Sequence, residues 1–122
     1  MKAFGDEGLT YLEAMHGAHG YRTPQGEPIP AEQTVEIYKK RLAQPDAKAT
    51  GVTVRLLETV LRFSPTAEEQ MKRYYESVEK FRDLYVGVNM AGREDNDKGH
   101  PLRFLKTLRE FCLLYTSPSP RD

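Results

Sequence analysis

The feature that most constrains this chain is the run Val52-Thr53-Val54-Arg55-Leu56-Leu57-Glu58-Thr59-Val60-Leu61. It carries β-branched and apolar residues at both parities of a two-residue repeat, the pattern of a strand covered on both faces. Strands of that kind sit in parallel sheets, and a parallel neighbour arrives only through a crossover connection. The residues that follow supply one. Ser64-Pro65 reads as an N-cap hydroxyl with proline at the first helical position. Met71, Tyr74, Tyr75, Val78 and Phe81 then recur at helical spacing, predicting an amphipathic helix of about five turns. A second apolar run, Tyr85-Val86-Gly87-Val88-Asn89-Met90, comes after the brief link Arg82-Asp83-Leu84 and completes a strand–helix–strand unit.

The same alternation extends both ways. Leu9 to Ala14 predicts an earlier strand. Pro30 to Ala43 predicts a helix with Glu32 in its first turn, Lys39, Lys40 and Arg41 in its last, and Val35, Tyr38 and Leu42 facing inward; Gln44-Pro45 ends it. Pro101 is expected to open a further helix with Leu102, Leu105, Leu108 and Phe111 on one side. The fold class read from this order is α/β, with about three βα units of a partial TIM-type (β/α)8 barrel. Strand centres near residues 11, 56 and 87 are about 45 and about 31 residues apart, against roughly 31 when some 250 residues make eight units. A doubly wound sheet is the competitor, but no strand-to-helix turn carries the G-x-G-x-x-G pattern that lets a pyrophosphate approach backbone. Gly17 to Pro30, rich in glycine and proline, reads as a long loop.

Charge limits the partners. The 122 residues include 18 Lys+Arg and 18 Asp+Glu, so no net charge remains to hold nucleic acid. No apolar stretch approaches the roughly 18 to 20 residues of a membrane span. Met1 to Gly20 lacks a basic start followed by an apolar block, so the cytoplasm is the expected compartment, with export open should polypeptide precede Met1. Oligomeric state is not legible.

Active sites of barrels lie past the carboxyl ends of the strands. That rule selects His16 and His19, Glu58 and Arg62, and Asn89 to Glu94. The offset of three between His16 and His19 does not put both on one face of an extended chain, so loop histidines are favoured over metal ligands. Glu58 and Arg62, four apart, are expected on one side of the run, where they could pair; a structural ion pair is favoured over a catalytic one. Gly87 to Gly92 has phosphate-loop glycine spacing, but Arg93-Glu94 stand where Lys and Ser/Thr would be needed. Glu94 to Gly99 offers oxygen ligands without a calcium loop's closing glutamate. No nucleophile triad can be assembled.

The segment Cys112-Leu-Leu-Tyr-Thr-Ser-Pro-Ser-Pro-Arg-Asp122 departs from the rest: helical periodicity stops and Ser-Pro alternation begins. It resembles the read-through translation of a sequencing adapter, which implies a non-native, disordered tail over 112–122, no redox meaning for Cys112, and a native chain interrupted at Phe111. A natural Pro/Ser tail is the alternative.

The string Tyr85-Val-Gly-Val-Asn-Met-Ala-Gly-Arg-Glu-Asp95, followed by Gly99-His-Pro-Leu-Arg-Phe104, resembles the fourth barrel strand and loop of the adenosine deaminase family, with its G-[FILV]-[DN]-[LM]-A-G-x-E pattern. Tyr11-Leu-Glu-Ala14 and Val52 to Arg62 are similar to the family's second and third strands, closest to its growth-factor-like and bacterial branches. The resemblance implies a zinc-dependent hydrolase that adds a metal-made hydroxide to C6 of adenosine, giving inosine and ammonia. It also implies that residues 1–111 are a central fragment, inactive alone. The family's H-x-H pair is expected before Met1, and its H-A-G-E element and later ligands beyond Phe111. No catalytic residue or zinc ligand carries over. Three substrate-binding positions do. Gly92 matches the glycine whose backbone N–H meets purine N3, Asn89 stands where many members have Asp, and Glu94 matches the motif glutamate, expected to brace the loop. The implied partner is a small nucleoside, with neither nucleic acid nor membrane. Another purine or nucleotide deaminase, or a small non-enzymatic α/β binding protein, are the competing readings.

Overall fold

A computed structural model describes residues 1–115, with side chains through Phe111. The elements run α1 (Lys2–Asp6), β1 (Tyr11–Met15), α2 (Ala31–Leu42), α3 (Pro45–Lys48), β2 (Thr53–Leu61), α4 (Ala67–Lys80), β3 (Tyr85–Ala91), a 3-10 turn (Pro101–Phe104) and α5 (Leu105–Tyr115). The three strands form one parallel sheet in the order β1-β2-β3, so the fold is mixed α/β. Among the described residues no helix is long and apolar enough to cross a membrane.

Both crossover helices pack on one face of the sheet. Val54, Leu56 and the β1 residues Leu12 and Ala14 meet Val35, Tyr38 and Leu42 of α2 in one apolar cluster. Val60, Val88 and Met90 meet Ala67 and Met71 of α4, with Phe104 and Phe111, in a second. Along β2 the residues facing these helices alternate with ones facing away, and only the first set is fully buried. The expectation of a strand covered on both faces is therefore corrected. Thr53, Arg55, Leu57, Thr59 and Leu61 look onto a face that no described element covers, and Leu61 there is 46% exposed.

One irregularity decides what stands on that face. Leu56 pairs with Tyr85, but Leu57 pairs with Gly87, so Val86 is an extra residue in β3. Such a bulge inverts the inside–outside alternation beyond it. Tyr85 is wholly buried beneath the helices, while Asn89, four residues on and of the same parity, lies beside Thr59 on the uncovered face.

Most strand and helix ends fall within two residues of those expected, the short α1 and α3 stand where no element was expected, and three departures bear on packing. α4 begins at Ala67, not at Pro65: the Ser64 hydroxyl accepts the Thr66 N–H at 3.3 Å and the Ser64 carbonyl accepts the Ala67 N–H at 3.2 Å, so Ser64 to Thr66 form a turn ahead of the helix. The segment after Pro101 starts as a 3-10 turn, and three residues per turn rephases the face. Phe104, Thr107 and Phe111 are buried and Leu108 packs against them, whereas Leu102 and Leu105, expected inward, are exposed. Finally, α5 continues through Cys112 to Tyr115, past the point where helical periodicity was expected to stop. The rest of the tail expected over 112–122 lies outside the described residues.

Candidate functional site at the strand ends

Because the strands are parallel, the loops after Met15, Leu61 and Ala91 share one rim. His16, His19, Arg62, Gly92 and Glu94 lie along it, whereas Glu58 and Asn89, expected past the strand ends, lie within β2 and β3; the residues form two groups facing different ways.

The first group faces the helices. Glu58, 1% exposed, interrupts the apolar face of β2 between Leu56 and Val60, at the junction of the two clusters. Its Oε1 accepts the Ala18 N–H at 3.1 Å and lies 3.1 Å from His19 Nδ1. The His19 ring stacks on Tyr74 of α4 with centroids 5.1 Å apart, and His16 packs against Tyr38 of α2 at 4.9 Å. Tyr85 donates to the His16 carbonyl at 2.8 Å, and Tyr38 to the Gly17 carbonyl at 3.3 Å. Burial, and then the Glu58 carboxylate among neighbouring groups, pushes the Tyr85 phenol well above its ordinary range; burial does the same for Tyr38. This is a bonded seam tying the loop after β1 to the interior. His19 is turned into it, whereas His16 is exposed and joins it through its backbone carbonyl.

The second group flanks the uncovered face. Arg62 does not pair with Glu58 as the spacing allowed. Its Nη2 lies 2.6 Å from Glu94 Oε1 and its Nε donates to the Met90 carbonyl at 3.4 Å, while the Arg62 backbone N–H donates to the Ala91 carbonyl at 2.9 Å. Glu58 was drawn away by a partner 39 positions earlier, His19, that no local spacing announces. Gly92 follows at φ +112°, a conformation that L side chains rarely adopt; a Cβ there would lie 3.5 Å from Phe63, so backbone angle and not crowding requires the glycine. Asn89, set back along β3, donates Nδ2 to the Met15 sulfur, a weak acceptor. Beside it, the Thr59 hydroxyl is buried without a hydrogen-bond partner. Arg93 closes on Asp95, Nε to Oδ1 at 2.9 Å, and its guanidinium holds that carboxyl below the usual range.

Gly92, Glu94 and Arg62 thus occupy one corner and His16, His19 and Glu58 another, while Asn89 reaches across the uncovered face to Met15. Sequence reasoning missed Arg103, whose side chain reaches back to the loops beneath this corner, because nothing in Pro101-Leu-Arg-Phe104 separates it from a surface arginine. It also missed the bulge, for which Gly87 inside an apolar run was the available sign. Among the described residues no group of three or more His, Cys, Asp or Glu side chains is placed to hold a metal ion.

No protein-family model matches the chain, and no curated protein matches it.

Proposed function

We propose that the chain forms three βα units of a TIM-type barrel in a zinc-dependent deaminase of the adenosine deaminase class, with its uncovered sheet face turned to the barrel interior and its strand-end rim forming one wall of a nucleoside pocket. The observation that carries this reading is that β3 bears Asn89 on the uncovered face and leads directly into Gly92 and Glu94, in a sheet whose other face is packed by α2, α4 and α5. A barrel requires that one-sidedness, because its inner face is filled by strand side chains and its helices form the outer ring.

In this reading the Gly92 N–H meets the purine ring, Asn89 offers a neutral amide where a carboxylate is common in the family, and the Arg62–Glu94 pair fixes the bend between them. The zinc and the acid–base groups belong to polypeptide other than the described residues, and the chain alone does not turn over substrate.

Binding of inosine, followed by amide exchange of the dilute whole chain, tests the wall. Inosine is expected to slow exchange across 91–94. Gly92→Ala, strained by about 1–3 kcal/mol at that backbone angle, is expected to abolish the effect. Unchanged exchange at the rim under saturating inosine overturns the reading.

A further inference from the structure

We infer that Arg103 is the positioning residue of the rim, holding the loops after β2 and β3 in one fixed relation and thereby placing the Arg62–Glu94 pair and Gly92. A guanidinium has five N–H donors in a rigid fork, and Arg103 uses all five. Nε donates to Glu68 Oε1 at 2.7 Å. Nη1 donates to the Arg62 carbonyl at 2.9 Å and the Lys98 carbonyl at 2.8 Å. Nη2 donates to the Ser64 carbonyl at 3.0 Å and the Pro65 carbonyl at 3.5 Å. Three of these acceptors belong to the loop after β2 and one to the loop after β3. Glu68, in the first turn of α4, supplies the balancing charge.

The loop after β3 needs such a tether. Its own bonds are local: Arg93 to Asp95, and the Gly99 N–H to both oxygens of Asn96. Gly99 completes the closure, since a Cβ there would lie 1.8 Å from the Arg93 carbonyl oxygen. The loop is therefore a closed unit, and among the described residues two side-chain bonds fasten it to the loop after β2: Arg62 to Glu94, and Arg103 to Lys98. Arg103 also grips the Arg62 carbonyl, so both fastenings pass through the same short stretch of chain. Lysine has three donors on a single nitrogen and no fork, and cannot reproduce this pattern.

That the loops so held enclose a nucleoside rests on the function proposed above; that Arg103 holds them does not. The experiment is amide exchange read by mass spectrometry on the whole chain and on Arg103→Lys and Arg103→Ala, each with and without inosine. Loss of bonds to a charged donor is expected to speed exchange in residues 62–66 and 92–99 together by about tenfold or more in both variants, while the β2 amides keep their wild-type rates. Wild-type exchange in both loops of Arg103→Lys overturns the inference. So does an equal loss of protection in β2, which would make Arg103 a support of the whole sheet. If the loops loosen as expected but inosine leaves the wild-type rim unchanged, the clamp stands and the nucleoside pocket falls.

Discussion

Glu58 is the residue on which the loop after β1 depends. A carboxylate in an otherwise apolar strand face is tolerated only because the Ala18 N–H and His19 meet it. Glu58→Ala strands the buried Ala18 N–H and is expected to cost about 1–3 kcal/mol, with Glu58→Gln costing less because its amide oxygen can still accept; urea unfolding of the two variants measures the difference. Tyr38 and Tyr85 make the pH dependence predictable. Both phenols are raised above the ordinary value of 10.0, mainly by burial. The folded chain keeps protons that the unfolded chain releases near that value. Their contribution to stability is therefore full below pH 10.0 and is lost as pH rises beyond it. In an alkaline titration followed by ultraviolet absorbance, these two phenolates are expected to appear together with the loss of helical circular dichroism. Ionisation of all the tyrosines before that loss would contradict the burial argument.

At the level of elements, the 3-10 turn ahead of α5 sets which side of that helix is buried. Leu102 and Leu105 share a helical stripe with Leu108 and Phe111 on paper, yet the tighter winding of Pro101–Phe104 turns Phe104 inward in their place. Phe104→Ala is expected to destabilise by about 3–5 kcal/mol, whereas Leu102→Ser and Leu105→Ser stay within about 0.5 kcal/mol of the parent; thermal melts of the three variants decide. The β3 bulge acts in the same way within the sheet. By inserting Val86 it lets one strand bury Tyr85 under the helices and still present Asn89 on the uncovered face.

Among the described residues, the molecule as a whole is a sheet finished on one side. Parallel sheets occur almost only with both faces covered, and exposed edges pair with other chains. Here Tyr11, Met15 and Leu61 stand exposed on the uncovered face, and β1 and β3 are edge strands. The isolated chain is therefore expected to associate with rising concentration in sedimentation experiments, and Met15→Lys with Leu61→Lys is expected to suppress this while leaving helix content unchanged; a parent chain that stays monomeric and melts cooperatively would contradict it. The three strands, their parallel order and the two crossover helices were legible because each announces itself in a window of a dozen residues: Val35 and Met71 fall on the buried stripes that periodicity marks, and Thr53–Leu61 lies within its apolar run. That Gly92 and Glu94 follow a strand end was likewise legible, since parallel strands place their carboxyl ends side by side. What they touch was not. Glu58 could be matched to Arg62 by spacing, but burial at the junction of two apolar clusters gave it to His19, and Arg62 went to Glu94. Sequence alone determined the three strands and the helices α2, α4 and α5, because propensity and periodicity act locally, but not the short α1 and α3, whose five and four residues are too few to show a periodicity. Tertiary structure alone decided which face the described elements leave uncovered, which way Asn89 points past the bulge and what Arg103 holds, because those follow from contacts between segments far apart in the chain, 41 positions for Arg103 and Arg62 and 74 for Asn89 and Met15.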